Sequence, residues 1–337
     1  MAVNRTLWYA GLGFVTLSLI WGYNWVVMKE VLKYAGPFDF AALRTVFGAA
    51  ALFVVLLVQR KPLRPIELKT TFFFGLLQTT AFMALTQWAL VSGGAGKTAV
   101  LSYTMPFWVL LLAWPLLNER LRGWQWIAVA VAAGGLLLIL EPWNMQGTVA
   151  SSLMAVTAGL AWGASAIVAK RLRDRVRVDL LSLTAWQMLL GSLVLVAIAL
   201  LVPSEPITFS GYFVGALIYN AIFATAIAWV LWLFVLETLP VGMAGLGMLI
   251  VPATGVLAAW IELGETPSRA ELAGMLLIAV ALALLCALAL FEAKRLRPAR
   301  PAEKVSPPSD QDEGKRVQAV AQTGDPPPPH PGKPASL

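Results

Sequence analysis

The chain has 337 residues, of which 59% are hydrophobic and 13% charged, with a formal net charge of +7, one cysteine and one histidine. Its apolar residues run in stretches of about twenty, the length that crosses about 30 Å of hydrocarbon, which excludes a soluble domain of amphipathic helices or alternating strands and predicts an all-α integral membrane protein. Cys286 stands alone in the last apolar run, so no intrachain disulfide forms, and His330 lies in a polar tail, which removes histidine from any metal site or proton relay in the membrane.

Ten spans follow in chain order, at 7–28, 38–59, 69–91, 97–117, 124–141, 147–170, 178–202, 211–236, 241–262 and 271–292. The first is too long for the apolar core of a signal peptide and lacks a small-x-small cleavage site, so it is read as a membrane anchor. On it Trp21 and Asn24 share a helical face. The second contains Arg44, the one ionisable side chain clearly inside a span, roughly 9 Å along the helix axis. Such a charge costs about 2.5–3.5 kcal/mol on insertion scales. Arg44 either braces a neighbouring helix or faces a cavity and holds a substrate carboxylate. The third span offers Gln78, Thr79, Thr80 and Gln87.

Between spans three and four runs VSGGAGKTA (91–99), which ends like a phosphate-binding P-loop. A true P-loop needs its first glycine where Val91 stands, so the match fails. Gly93, Gly94 and Gly96 are read instead as a tight turn. Lys97, at the start of the next helix, either snorkels at the mouth of the bundle or meets an anionic group at a gate there. Span four then places Ser102, Tyr103 and Thr104 just before Pro106, whose ring frees a backbone carbonyl. Trp162 and Ser165 share a face of span six, Gln187 lies on span seven, and Tyr219, Asn220 and Thr225 lie on span eight. Each of these polar groups is read either as an interhelical hydrogen bond or as a ligand contact.

Loop charge orients the chain. With the amino terminus in the cytoplasm, sixteen lysines and arginines fall inside (Arg5, Arg60, Lys61, Arg64, Lys69, Arg120, Arg122, Lys170, Arg171, Arg173, Arg175, Arg177, Lys294, Arg295, Arg297, Arg300) and four outside (Lys29, Lys33, Lys97, Arg269). Both termini are expected in the cytoplasm and the 91–99 hairpin outside. The basic excess therefore follows from topology, and no nucleic-acid partner is expected. Residues 293–337 turn abruptly to Pro, Ala, Lys, Glu, Ser and Gln and are expected to be disordered.

The two halves repeat. Pro106 and Glu119 in the first match Pro252 and Glu265 in the second at one shift (252 − 106 = 146 and 265 − 119 = 146). Trp21-Gly22 pairs with Trp162-Gly163, and Arg44 with Gly48 pairs with Gln187 and Gly191, at shifts of 141 and 143. Five spans per repeat invert one half against the other, so the domains expected are residues 1–146, 147–292 and a tail at 293–337. Pro106, Glu119, Pro252 and Glu265 are read as structural, with the glutamates closing helix ends or pairing with nearby arginines.

LSLIWGYNWVVMK, FAALRTVFGAA, LSYTMPFWVLLLAWPLLNERL, LAWGASAIVAKRL and VPATGVLAAWIELGE, in this order and in both halves, resemble the drug/metabolite transporter superfamily, specifically its EamA-type members. The resemblance covers residues 7 to 292. It implies a ten-helix inverted-repeat transporter of small metabolites in the cell membrane, often an exporter of amino acids or related compounds. It also implies a central cavity lined largely by helices one, three, four, six, eight and nine. Trp21, Asn24, Arg44, Gln78, Gln87, Tyr103, Trp162, Ser165, Gln187, Tyr219 and Asn220 are the candidate substrate contacts, with Lys97 at a gate. The buried glutamate that small multidrug antiporters carry in their first helix has no counterpart in span one, which argues against proton coupling through a midplane carboxylate. A membrane enzyme would need a nucleophile with its base, paired acids or a metal cluster, and the spans supply none; no metal or other cofactor is expected. Sugars, nucleotide-sugars, drugs or a non-transporting flippase-like subunit remain as alternatives. The expected partners are a small-molecule substrate, the bilayer and, for any oligomer, a second copy of the chain.

Overall fold

A computed structural model describes residues 2–118, 123–140, 149–238, 248 and 250–295. All regular elements among them are helical, which is how a backbone satisfies its own polar groups in hydrocarbon. In chain order they are α1 (Ala2–Glu30), α2 (Pro37–Val58), α3 (Leu68–Gly75), α4 (Phe82–Ser92), α5 (Ala95–Ser102), α6 (Met105–Leu117), α7 (Trp124–Leu140), α8 (Val149–Arg175), α9 (Leu180–Leu201), α10 (Gly211–Ile218), α11 (Ala228–Thr238), α12 (Ile250–Leu263) and α13 (Arg269–Arg295). The pairs α3–α4, α5–α6 and α10–α11 each form one interrupted span, so ten spans result. Eight are long and apolar enough to cross a membrane, and α7 and α12 are shorter apolar helices. Glu119 and the tail from 296 onward lie outside the described residues.

Local chemistry sets where helices start and break. Asp179 caps α9 by accepting the Ser182 amide at 2.9 Å and also receives Lys61 Nζ at 2.9 Å. Burial alone would raise this carboxyl, but those donors outweigh it and hold it below its ordinary value. The cap therefore stabilises the fold above the unfolded carboxylate pKa, and that contribution is lost as pH falls through the folded one. Span four breaks at Tyr103 and Thr104, and α6 restarts with Pro106 in its first turn. Pro252 lies equally near the start of α12.

Spans three and eight are interrupted differently. Residues Leu76–Ala81 and Tyr219–Ile227 are π-helical, with Phe82 N–H donating to Leu77 O and Ala228 N–H to Phe223 O. These wide turns occupy corresponding places in the two repeats, and π segments of this kind concentrate at functional sites.

The repeats interlock through glycines. α1 crosses α12 where a Cβ on Gly22 would come within 2.5 Å of Thr254 Cβ, and α8 crosses α6 where a Cβ on Gly163 would come within 2.8 Å of Trp108 Cβ. Gly22 and Gly163 are repeat mates, and so are Trp108 and Thr254 (254 − 108 = 146). Likewise a Cβ on Gly48 of α2 would lie 2.8 Å from Thr225 Cγ2, and one on Gly191 of α9 would lie 2.7 Å from Thr79 Cβ, with Thr79 and Thr225 again 146 apart (225 − 79 = 146). Every crossing joins one repeat to the other. Small residues at such crossings let backbones approach where hydrophobic force between helices is absent.

Gly191 is the most constrained of these, because its Cβ would also stand 2.5 Å from the Gly75 carbonyl oxygen, which cannot rotate away. Overpacking of this kind costs about 1–3 kcal/mol. Gly191→Ala should lower the apparent Tm of the detergent-purified protein by several degrees. Gly134→Ala, at a position with no neighbour within 4 Å, should leave it unchanged or raise it.

Candidate functional site

The interlocked helices enclose a cavity of ≈ 80 Å³ at the meeting of the two repeats. It is smaller than the roughly 300–1,000 Å³ usual for ligand pockets, so the walls must part to admit a solute. From α1 come Trp21, Asn24, Trp25 and Met28, one helical face at i, i+3, i+4 and i+7. Trp21 Nε1 donates to the Ala224 carbonyl in the second π segment at 2.9 Å, and its ring meets Trp229 edge to face at 5.8 Å. On the opposite wall Trp162 packs against Phe82 at 5.1 Å and Tyr103 at 5.5 Å. The repeat-matched tryptophans thus face one space, each backed by the glycine that brings its helix close.

The polar groups of the cavity include unpaired donors and one unpaired acceptor, Asn24 Oδ1. Arg44 is 5% exposed and its Nη1 donates to Met28 Sδ at 2.8 Å, while its Nε is buried without a partner. Asn24 Nδ2 donates to the same sulfur at 3.1 Å. The Gln78 side-chain oxygen accepts from Ser165 Oγ at 2.6 Å, and that of Gln187 accepts from Thr79 Oγ1 at 2.8 Å. With their oxygens engaged, the two amide NH₂ groups find no acceptor among the described residues. No carboxylate lines the cavity among the described residues, and none of these holds a cluster fit for a metal.

Of the candidate contacts, Trp21, Asn24, Arg44, Gln78, Tyr103, Trp162 and Gln187 are brought together on the cavity lining. Ser165 stands one step behind, holding Gln78. Gln87, Tyr219 and Asn220 lie off the lining: Gln87 Nε2 donates to Met28 O at 2.9 Å, Tyr219 Oη to Ile20 O at 2.7 Å, and Asn220 Nδ2 to Ala216 O at 3.0 Å. Phe82, Met83, Met188 and Trp229 also line the space and were not singled out from sequence. Their one signal is spacing, since Phe82 and Trp229 lie four residues beyond Gln78 and Thr225. Beyond the helices that the resemblance implied as the main lining, helices two and seven supply Arg44 and Gln187, with Gly48 and Gly191 one turn away at close crossings. No described residue of α12 reaches the cavity.

The 91–99 hairpin sits at one end of the bundle, and its glycines have a packing role. The chain turns between α4 and α5 at Gly93 and Gly94, whose φ of −93 and −70 are ordinary, so the turn needs no left-handed residue. Instead a Cβ on Gly93 would meet Ser151 Oγ at 2.7 Å, one on Gly94 Glu265 Oε2 at 2.8 Å, and one on Gly96 Val256 Cα at 3.0 Å. Charges then close both helix ends. Lys29 Nζ donates to the carbonyls of Leu90 and Gly93 at 2.6 and 3.0 Å, at the C-terminus of α4. The Glu265 carboxylate accepts the amides of Ala95 and Gly96 at 2.8 and 3.1 Å, at the N-terminus of α5. Each charge has the sign its helix end attracts. Lys97 pairs with Glu271 at 2.8 Å, and Glu271 completes a capping box with Ser268 at the start of α13. Glu265→Ala should speed amide hydrogen exchange at Ala95 and Gly96, measured by mass spectrometry, by roughly tenfold. Exchange there at the wild-type rate would mean that the carboxylate does not hold the helix end closed.

The sequence model of the EamA-like transporter family matches residues 8–141 and again residues 150–287. The chain is 30% identical over 275 residues to the uncharacterized transporter YoaV of Bacillus subtilis, covering 79% of this chain and 93% of that one. It is 27% identical over 279 residues to a probable amino-acid metabolite efflux pump of Salmonella typhimurium, covering 79% and 91%. A riboflavin transporter of Rhizobium johnstonii is 30% identical over 195 residues, covering 56% and 61%. A solved crystal structure superposes with a TM-score of 0.60 at 20% identity, covering 87% of this chain and 99% of the other, which shows a shared fold. With two matched repeats, ten interlocked spans and these relatives, the chain belongs to the EamA-like transporter family and is a multi-pass membrane transporter.

Proposed function

We propose that this protein exports small metabolites, amino acids or related compounds, across the cell membrane by alternating access. The observation that carries the reading is the convergence of repeat-matched residues, Trp21 with Trp162 and Arg44 with Gln187, on one cavity between inverted halves. The relative named as an amino-acid metabolite efflux pump supports the direction and the class of cargo. Loop charge supports an external 91–99 hairpin, and in this reading Lys97 and Glu271 are among the contacts that open when cargo leaves. Transport down the solute's own gradient is favoured over proton coupling at the midplane, because no acid lines the cavity among the described residues.

In proteoliposomes, a panel of radiolabelled amino acids and related metabolites should include at least one that moves down its gradient at a rate indifferent to an imposed pH gradient. Flux that requires the pH gradient would overturn the uniport reading, and a panel in which nothing moves would overturn transport of this class. Lys97→Met should raise the rate of outward release by up to about fivefold, the worth of one partly exposed ion pair. An unchanged rate would remove Lys97 from the gate.

A further inference from the structure

Two donors in the cavity share a poor acceptor. Arg44 Nη1 and Asn24 Nδ2 both point at the thioether of Met28, at 2.8 and 3.1 Å. A thioether accepts weakly, whereas a guanidinium bound to a carboxylate makes charge-assisted bonds about twice as strong as neutral ones. Both side chains are more than nine-tenths buried. Arg44 Nε has no partner at all, and no acid among the described lining residues balances its charge. A buried cation left in that condition is costly. Gln78 and Gln187 line the same space with their oxygens taken by Ser165 and Thr79. The remaining walls combine aromatic rings with Met83, Met188 and threonine side chains.

We infer that the cargo is a monocarboxylate with an aromatic or similarly broad apolar body, and that its amino group, where it has one, is dispensable. The carboxylate takes the place of the Met28 sulfur between Arg44 and Asn24, and the body lies between the ring walls of Trp21 and Trp162. This rests on the central cavity being the transport site. An amine would add a second positive charge beside Arg44, where the described lining offers the neutral Asn24 Oδ1 but no acid to balance it. A diphosphate would bring more negative charge than one guanidinium can match. A neutral sugar would leave the buried charge unbalanced.

Three small molecules with one ring test it: phenylalanine, 3-phenylpropionate, which lacks the amino group, and phenethylamine, which lacks the carboxylate. Binding to the detergent-purified protein is read by tryptophan fluorescence, because Trp21 and Trp162 report from the cavity walls. Phenylalanine and 3-phenylpropionate should bind within about tenfold of each other, and phenethylamine at least about tenfold more weakly. Arg44→Gln should abolish that preference, and Arg44→Lys should weaken both acids by losing the planar fork. Met28→Leu should bind the acids at least as tightly as the wild type. Equal binding of the amine, loss of binding with the amino group, binding of none of the three, or weaker acid binding by Met28→Leu would each overturn the assignment. Since binding is read without flux, acids that bind but do not move would sink the transport reading alone. A different cargo that moves while none of these binds would sink the carboxylate assignment alone.

Discussion

The structure depends on close crossings between the repeats, four of them beside the cavity, in which a glycine of one half receives a side chain of the other. Gly22 takes Thr254, Gly163 takes Trp108, Gly48 takes Thr225 and Gly191 takes Thr79. Lipid offers no hydrophobic drive to press helices together, so contact comes from shape and from backbones that can approach. Because every crossing joins the two halves, neither half is a separate body. The cavity is what remains between them.

Those crossings also set what the cavity presents. Gly22 and Gly163 stand beside Trp21 and Trp162, so closeness at the crossing and an aromatic wall are specified by adjacent residues. Gly48 and Gly191 lie one helical turn from Arg44 and Gln187 and draw those polar groups inward. The π-helical segments add to this. Their wide turns place Gln78 and Thr79 on one side and Ala224 and Thr225 on the other, and the Ala224 carbonyl is taken by the indole of Trp21. Among the described residues the outcome is a cavity without a carboxylate, with a buried guanidinium and aromatic side chains in its walls.

At the hairpin end the same economy is electrostatic. Lys29, Glu265 and the Lys97–Glu271 pair hold four segments together through helix ends and charges that water would otherwise compete for. Such contacts are individually modest and separable, in contrast to the glycine crossings, which are steric and cannot yield without moving backbone. The bundle thus joins steric contacts at its centre to modest charge contacts at its rim.

The sequence by itself determined the spans, the inverted repeat and the family, because apolar length and a matched order of Trp-Gly, Pro and Glu motifs are one-dimensional properties. It also determined that Arg44 is the one charge deep in a span. Only the tertiary structure decided which polar residues share the cavity. Gln87, Tyr219 and Asn220 look as suitable in sequence as Gln78 and Gln187, but their donors are spent on neighbouring carbonyls. Nor does sequence give the π segments, which arise from packing rather than from any residue pattern, or the partner of Arg44, a methionine sixteen residues away that no charge rule selects. The hairpin glycines show the same limit. Their composition suggests a tight turn, and ordinary φ with crowded Cβ positions adds that they make room for Glu265, Ser151 and Val256 from the other repeat, a fact that exists only once the two halves are folded together.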